Sequence, residues 1–301
     1  MKLDVVVYKS SVLNLSKHPR KESCLQSFAD GAKSLGARTH IETTYKYTPS
    51  KLAVILGWVT QDKTTPNVLL RQHIVEEQKK LGAKTMCIDA GCWKYADPEN
   101  RFLRYSLDGP FYDQAEYANK NSDSKPWKRI SKALNIDIKP WRTKGRHILV
   151  CMQRDGGFSM KNLDPMVWLE KKIIDIRRYT DRPIIIRPHP GKPQDFSRFI
   201  QPNISVMDSK TVPLVNSMNK AWAAVFFNSS SSVAAICEGI PIFIDDNSCV
   251  AKDVANTSLE DIENPKIFER NQWLFDLAAA HWSDEDGKSG KIYQKFMPFL
   301  I

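Results

Sequence analysis

The chain has 301 residues, 42% hydrophobic and 26% charged, with 13 Gly and 17 Pro. That ordinary globular balance excludes a disordered or low-complexity protein, and the length suits two cores better than one. The formal charge of +10 is unevenly placed, because residues 1–145 hold 25 Lys and Arg against 15 Asp and Glu while residues 146–301 hold 19 of each.

Residues 3–8 read as a first core strand, and the segment around them is too short and too acidic for a signal peptide. No apolar run approaches the ~20 residues a membrane helix needs, so a cytoplasmic protein is expected. An amphipathic helix follows over residues 22–35 and closes at Gly36. Strands are expected at 38–42 and 52–56, a helix over 67–81 stopped by Gly82, and a strand at 84–88 leading into Asp89. Alternation of this kind builds a parallel sheet with right-handed crossovers. From residue 97 to 140 the pattern loosens, with Pro110, Pro126 and Pro140, and a first domain is drawn over residues 1–140. Positive charge is densest from Lys120 to Arg146, where Lys120, Lys125, Lys128, Arg129, Lys132, Lys139, Arg142, Lys144 and Arg146 face only Asp123 and Asp137. Such a run is either a solvated linker or a surface for a polyanion.

The alternation restarts with a strand at 147–152. Asp164 and Pro165 then supply an N-cap and first-turn proline for a helix reaching residue 179. Strands follow at 183–187, 205–207 and 222–227. Asn228 is expected to cap a helix that runs through four serines to Glu238 and ends at Gly239, before a strand at 241–244. A second domain is drawn over residues 141–270. The tail, residues 271–301, is amphipathic and aromatic-rich and is expected to cross back to the first domain. Its Asp284, Glu285 and Asp286 resemble a metal-binding DxD motif but read as a solvated turn, so no metal is expected. The six cysteines (Cys24, Cys87, Cys92, Cys151, Cys237, Cys249) show no paired CxxC spacing and read as reduced buried thiols.

Three loops of the second half follow strand C-termini, where ligands of parallel sheets bind. They carry Gln153 and Arg154, then Arg187 and His189, then Asn228 with Ser229, Ser230, Ser231 and Ser232. Helix N-terminal amides with serine hydroxyls suit a phosphate, and Arg187 and His189 would add charge-assisted donors. The plainer reading is an ordinary N-cap followed by small packing residues. Neither GxxxxGK[ST] nor GxGxxG occurs.

Arg-Pro-His-Pro after one strand, followed later by Asn-Ser-Ser-Ser-Ser-Val-Ala-Ala-Ile-Cys-Glu-Gly-Ile-Pro, resembles GT-B glycosyltransferases. Capsule Kdo-transferases, polysialyltransferases and glycerophosphotransferases share these two elements. The resemblance implies an α/β fold of two Rossmann-like parallel-sheet domains facing a central cleft; one doubly wound domain with long insertions is the alternative. It also implies that His189 and the serine hydroxyls hold the donor phosphates. Many members carry a Glu where this chain has Ala234, and Glu238 lies one turn later. A closer resemblance, over most of residues 105–297, is to a family of bacteriophage glycosyltransferases. It is carried by Pro140-Trp141-Arg142, Gly145 to Cys151, Thr180-Asp181-Arg182-Pro183, Asn271 to Leu277 and Ala280-His281-Trp282-Ser283. That family includes the DNA arabinosyltransferases of T-even-like phages.

The resemblance implies transfer of arabinose or glucose from a UDP-sugar to 5-hydroxymethylcytosine in double-stranded DNA; a monomer without a cofactor is expected. Lys125, Lys128, Lys132, Arg129 and Arg142 are the expected DNA contacts. Transfer to a hydroxyl needs a base, and strand-end carboxylates are the candidates: Asp89 and Asp108 first, then Asp62. Two other readings stay open. One is an envelope or capsule transferase acting on a glycan or lipid-linked acceptor, and the other is a non-catalytic nucleotide-dependent DNA-binding protein.

Overall fold

A computed structural model describes residues 3–59, 64–154, 158–191 and 194–300. In chain order its first elements are β1 (Leu3–Tyr8), α1 (Pro19–Ser34), β2 (Thr39–Glu42), β3 (Ser50–Leu56), α2 (Pro66–Lys80), β4 (Lys84–Asp89), β5 (Leu103–Leu107) and α3 (Lys125–Leu134). Next come β6 (His147–Cys151), α4 (Pro165–Arg177), β7 (Ile184–Arg187), β8 (Ile204–Val206), α5 (Leu214–Ser217), β9 (Ala221–Phe226), α6 (Ser232–Cys237) and β10 (Ile242–Ile244). The chain closes with α7 (Asn271–Ala279), β11 (His281–Trp282), α8 (Asp284–Lys288) and α9 (Lys291–Phe296). It forms two compact units: Met1–Ile130 with Leu274–Ile301, and Ser131–Trp273. No described helix is long and apolar enough to cross a membrane.

The first unit holds a six-stranded sheet in the order β11-β5-β4-β3-β1-β2. Its central strands β1, β3 and β4 are apolar on both faces because both are covered, as sheets with crossover helices require. Val5, Val7, Leu52, Val54, Met86 and Ile88 share one core with Leu25 and Phe28 of α1 and with Ile292 and Phe296 of α9. Val6, Tyr8, Ala53 and Ile55 alternate with them and meet Leu70 and Ile74 of α2.

The loosened stretch proves to contain β5, which runs antiparallel to both β4 and β11, so this sheet is mixed rather than parallel. β5 escapes a hydrophobic-pattern search because Arg104 and Ser106 stand within it, and both are buried.

The second unit holds five parallel strands in the order β10-β9-β6-β7-β8. Ile148, Val150, Ile184, Ile186, Ala223 and Val225 pack under Trp168, Leu169, Ile173 and Ile176 of α4. Asp164 caps α4 by accepting from the Met166 N–H at 2.7 Å.

Measured by unit, the charge partition changes. The first unit holds 24 Lys and Arg against 18 Asp and Glu, and the second holds 20 against 16. The second unit is therefore not neutral. Lys132, Lys139, Arg142 and Lys144 belong to it, whereas Asp276, Asp284, Glu285 and Asp286 belong to the first.

The acidic triplet is not a solvated turn either. It opens α8 in a capping box, with the Ser283 hydroxyl accepting from the Asp286 N–H at 3.3 Å and the Asp286 carboxylate accepting from the Ser283 N–H at 3.0 Å. Arg129 Nη1 donates to Asp286 Oδ2 at 2.6 Å, and Asp284 takes Arg20 and Ser23 of α1. These bonds seat α8 on α1 at a spacing only glycine permits: a Cβ on Gly31 would lie 1.9 Å from the Gly287 carbonyl oxygen. Gly31→Ala is therefore expected to cost at least about 1–3 kcal/mol, as overpacking of a close contact does. The check is chemical denaturation of the variant beside the parent. An unmoved midpoint would show that α1 and α8 do not approach this closely.

Candidate active site

In the second unit the chain steps outward from β6 through β7 to β8, then returns to place β9 and β10 on the other side. The order reverses between β6 and β9, and in open α/β sheets ligands bind outside the strand C-termini at such a reversal. Gln153 and Asn228 stand at those two ends. The Gln153 Nε2 donates to Asn228 Oδ1 at 2.8 Å, and the Asn228 N–H donates back to Gln153 Oε1 at 3.0 Å. Asn228 Nδ2 also donates to the Ser248 hydroxyl at 2.7 Å and the Ser159 carbonyl at 2.8 Å. Both amides are buried. Their hydrogen bonds are committed to one another and to the loops, so they brace the edge instead of reaching a donor.

The same commitment displaces the expected cap. α6 begins at Ser232 with Ser231 as N-cap, makes no side-chain cap bond, and runs only to Cys237. Ser229 and Ser231 share a hydroxyl contact of 2.7 Å, Ser230 is exposed, and Ser232 turns inward against Cys249 Sγ at 3.6 Å. Three of the four serines thus remain within reach of a ligand. Arg187 is another correction: it is buried, its Nη1 donates to the Val212 carbonyl at 3.0 Å, and burial lowers its pKa. His189 is half-buried, with Nδ1 accepting from the Gly191 N–H at 3.0 Å. In the neutral ring the proton therefore sits on Nε2, which makes that atom a donor. Arg154 is exposed, and Asp155, Gly156 and Gly157 beside it lie outside the described residues.

In the first unit the strand order reverses between β1 and β3. The ends of β3 and β4 open on a cavity of about 470 Å³ lined by Leu56, Asp89 and Ala90, by Lys17, His18, Pro19, Arg20 and Lys21 around the start of α1, and by Lys94, Pro98, Glu99, Asn100 and Leu103. Asp89 Oδ2 accepts from Arg104 Nη2 at 2.8 Å, and Oδ1 accepts from the Ala90 N–H at 2.8 Å. The carboxylate is 40% exposed, whereas the Arg104 side chain beneath it is 9% exposed. Arg104 also lies over the Tyr117 ring, 5.8 Å from its centre. A positioned carboxylate that still meets solvent can accept a proton from a bound hydroxyl.

Asp108 does not share this place. Because β5 runs antiparallel to β4, its end lies beside Lys84 at the opposite edge of the sheet. Asp108 there adopts a left-handed φ of 60° and accepts from the Thr85 N–H at 3.0 Å and Lys84 Nζ at 2.7 Å. That is turn and ion-pair work. Asp62 lies outside the described residues.

The expected DNA contacts divide. Arg129 is committed to Asp286, and Arg142 Nη1 donates to the Met218 and Ala221 carbonyls at 2.6 and 3.1 Å. Arg129 is exposed but paired, and Arg142 is half-buried. Lys125, Lys128 and Lys132 are exposed on α3. Among the described residues no three His, Cys, Asp or Glu side chains gather as a metal site.

Sequence reasoning missed Arg104 and the cations around the 470 Å³ cavity. The run Lys17-His18-Pro19-Arg20-Lys21, with proline at the first helical position, was the available signal for the cations. Behind Arg104, His281 is buried, with Nδ1 2.7 Å from the Leu277 carbonyl oxygen and Nε2 accepting from the Cys92 N–H at 3.0 Å.

No protein-family model matches the chain, and no curated protein matches it in sequence. Solved structures do. Thermosulfurimonas dismutans KpsC, described as a beta Kdo 2,4 transferase, superposes with a TM-score of 0.58 at 11% identity, over 92% of this chain and 90% of that one. A beta Kdo 2,7 transferase of KpsC from the same organism gives 0.54 at 12% identity, over 96% and 99%. The likeness is one of fold: this chain has the paired α/β architecture of GT-B glycosyltransferases.

Burial pushes the His281 pKa down from 6.5 to about 3. The unfolded chain then takes up a proton that the folded imidazole refuses, so stability should fall as pH drops from 6.5 towards 3. Each pH unit across that interval is worth about 1.4 kcal/mol, which makes the full effect a few kcal/mol. Urea midpoints at pH 7, 6 and 5 should decline in the parent and less in His281→Gln, where His147, also lowered by burial, still contributes. Equal slopes would contradict a buried neutral His281.

Proposed function

We propose that the chain is a glycosyltransferase that takes a sugar from a nucleotide-sugar donor on its second unit and passes it to a hydroxyl acceptor bound by its first. The observation that carries this reading is the gathering of hydrogen-bond donors at the order-reversing edge of a parallel sheet. His189 Nε2 and the hydroxyls of Ser229, Ser230 and Ser231 follow β7 and β9 there. Likeness to two Kdo transferases of KpsC supports it. In this reading Asp89 accepts the acceptor's proton as the hydroxyl oxygen bonds the anomeric carbon. The diphosphate leaves with the electrons of the broken C–O bond, and the His189 and serine donors stabilise it. Arg104 orients the Asp89 carboxylate.

His189→Ala and Ser230→Ala should each weaken UDP binding by roughly 1–3 kcal/mol, the scale of a lost charge-assisted or buried hydrogen bond. Asp89→Asn should lower turnover by about 10²–10⁴-fold and leave UDP affinity alone. Calorimetric titration with UDP and a donor-turnover assay read the two effects separately. UDP affinity unchanged in both donor-site variants would remove the donor placement, and near-normal turnover in Asp89→Asn would move the base elsewhere.

The finer reading is that the acceptor is 5-hydroxymethylcytosine in duplex DNA and the sugar is arabinose or glucose. The exposed Lys125, Lys128 and Lys132 on α3 favour it, together with the motif resemblance to the phage enzymes. Converting the three lysines to glutamate should raise the KM for DNA and flatten the dependence of log K on log salt. Labelled sugar should enter duplex containing 5-hydroxymethylcytosine and not plain cytosine, which lacks the nucleophile. Transfer to neither duplex, across pentose and hexose donors, would favour a glycan acceptor.

A further inference from the structure

The cavity beside Asp89 gathers more positive charge than its own contacts use. Arg20 is committed to Asp284 and to the carbonyls of Asn100 and Arg101, the last two at 2.9 Å. Lys17, Lys21 and Lys94 are different, since none has a carboxylate within 4.0 Å among the described residues. Of the two carboxylates that line the cavity, Asp89 is already paired with Arg104, which leaves only Glu99 against three lysines. α1, 16 residues long, begins at this wall without a side-chain cap. Glu22 in its first turn is drawn to Lys9 at 3.1 Å, and Asp284 meets Arg20 and Ser23 of the same turn, so the lysines rather than the helix end carry the uncompensated charge. Uncompensated like charges around a concave wall repel one another, and an anion relieves that repulsion.

We infer that this cavity recognises an anionic group of the acceptor, a phosphate or a carboxylate, through Lys17, Lys21 and Lys94, while the reacting hydroxyl faces Asp89. The acceptor role rests on the glycosyltransferase reading; the anion site does not. A volume of about 470 Å³ lies within the usual range of small-ligand pockets, roughly 300–1,000 Å³, and admits a sugar-sized unit with its charged substituent. Glu99 opposes the lysines from the same wall and selects against a second negative group.

The test uses the full chain and two small probes, glycerol phosphate for a phosphomonoester and glucuronate for a carboxylate, titrated calorimetrically at low salt. The parent should bind one of them, and the probe that binds identifies the group. The double variant Lys17→Ala with Lys94→Ala should bind it roughly tenfold or more weakly, the loss expected for charge-assisted contacts. His189→Ala should bind it as the parent does, and UDP affinity should be the same in the parent and the lysine double variant. The inference is overturned if neither probe binds, if parent and double variant bind alike, or if the loss appears in His189→Ala instead. UDP binding without lysine-dependent probe binding would sink the anion site and leave the transferase reading standing. Lysine-dependent probe binding without UDP binding would do the reverse.

Discussion

Strand direction is the constraint on which the rest depends. Parallel strands all leave a sheet at the same edge, so the loops that follow them are gathered there whatever their sequences. In the second unit this brings the loops after β6, β7 and β9 to one edge. In the first it brings the ends of β3 and β4 to the cavity that holds Asp89. A single reversed strand shows the strength of the rule. β5 pairs antiparallel with β4, and Asp108, a strand-end carboxylate like Asp89, is carried to the far edge and into a turn.

Within each unit, buried polar pairs hold the edges in shape. The Gln153–Asn228 amide pair ties the ends of β6 and β9, and Arg104 holds Asp89 from below. Arg129 anchors Asp286 at the start of α8. Each pair satisfies groups that would otherwise be costly to bury. In the proposed reading a ligand meets His189 Nε2, Ser229, Ser230 and Ser231 in one unit, and in the other Asp89, held by Arg104, with three lysines.

Much of this was legible in the sequence, for a physical reason. Apolar runs such as Val5-Val6-Val7 and Ala223-Ala224-Val225, each bounded by a helix stopped by glycine, specify covered parallel strands with little ambiguity. The loops of interest follow from that alternation. What stayed hidden were partners. Asn228 and Arg187 are residue types that bind phosphates, but their side chains are claimed by Gln153, Ser159, Ser248 and Val212, from 20 to 75 positions away along the chain. β5 was hidden because a buried Arg104 breaks an apolar pattern, and the Asp89 carboxylate and the Tyr117 ring help to make that burial tolerable. The charge partition misled because the C-terminal segment, with its aspartates, belongs to the first unit.

The central claim is that a nucleotide sits at the order-reversing edge of the second sheet. Backbone amide NMR during a UDP titration tests it most directly. The account predicts that shifts concentrate at His189, Gly191, Ser229, Ser230 and Ser231 and saturate together. Shifts confined to the first-unit cavity around Lys17, Asp89 and Lys94, or none at saturating UDP, would contradict it.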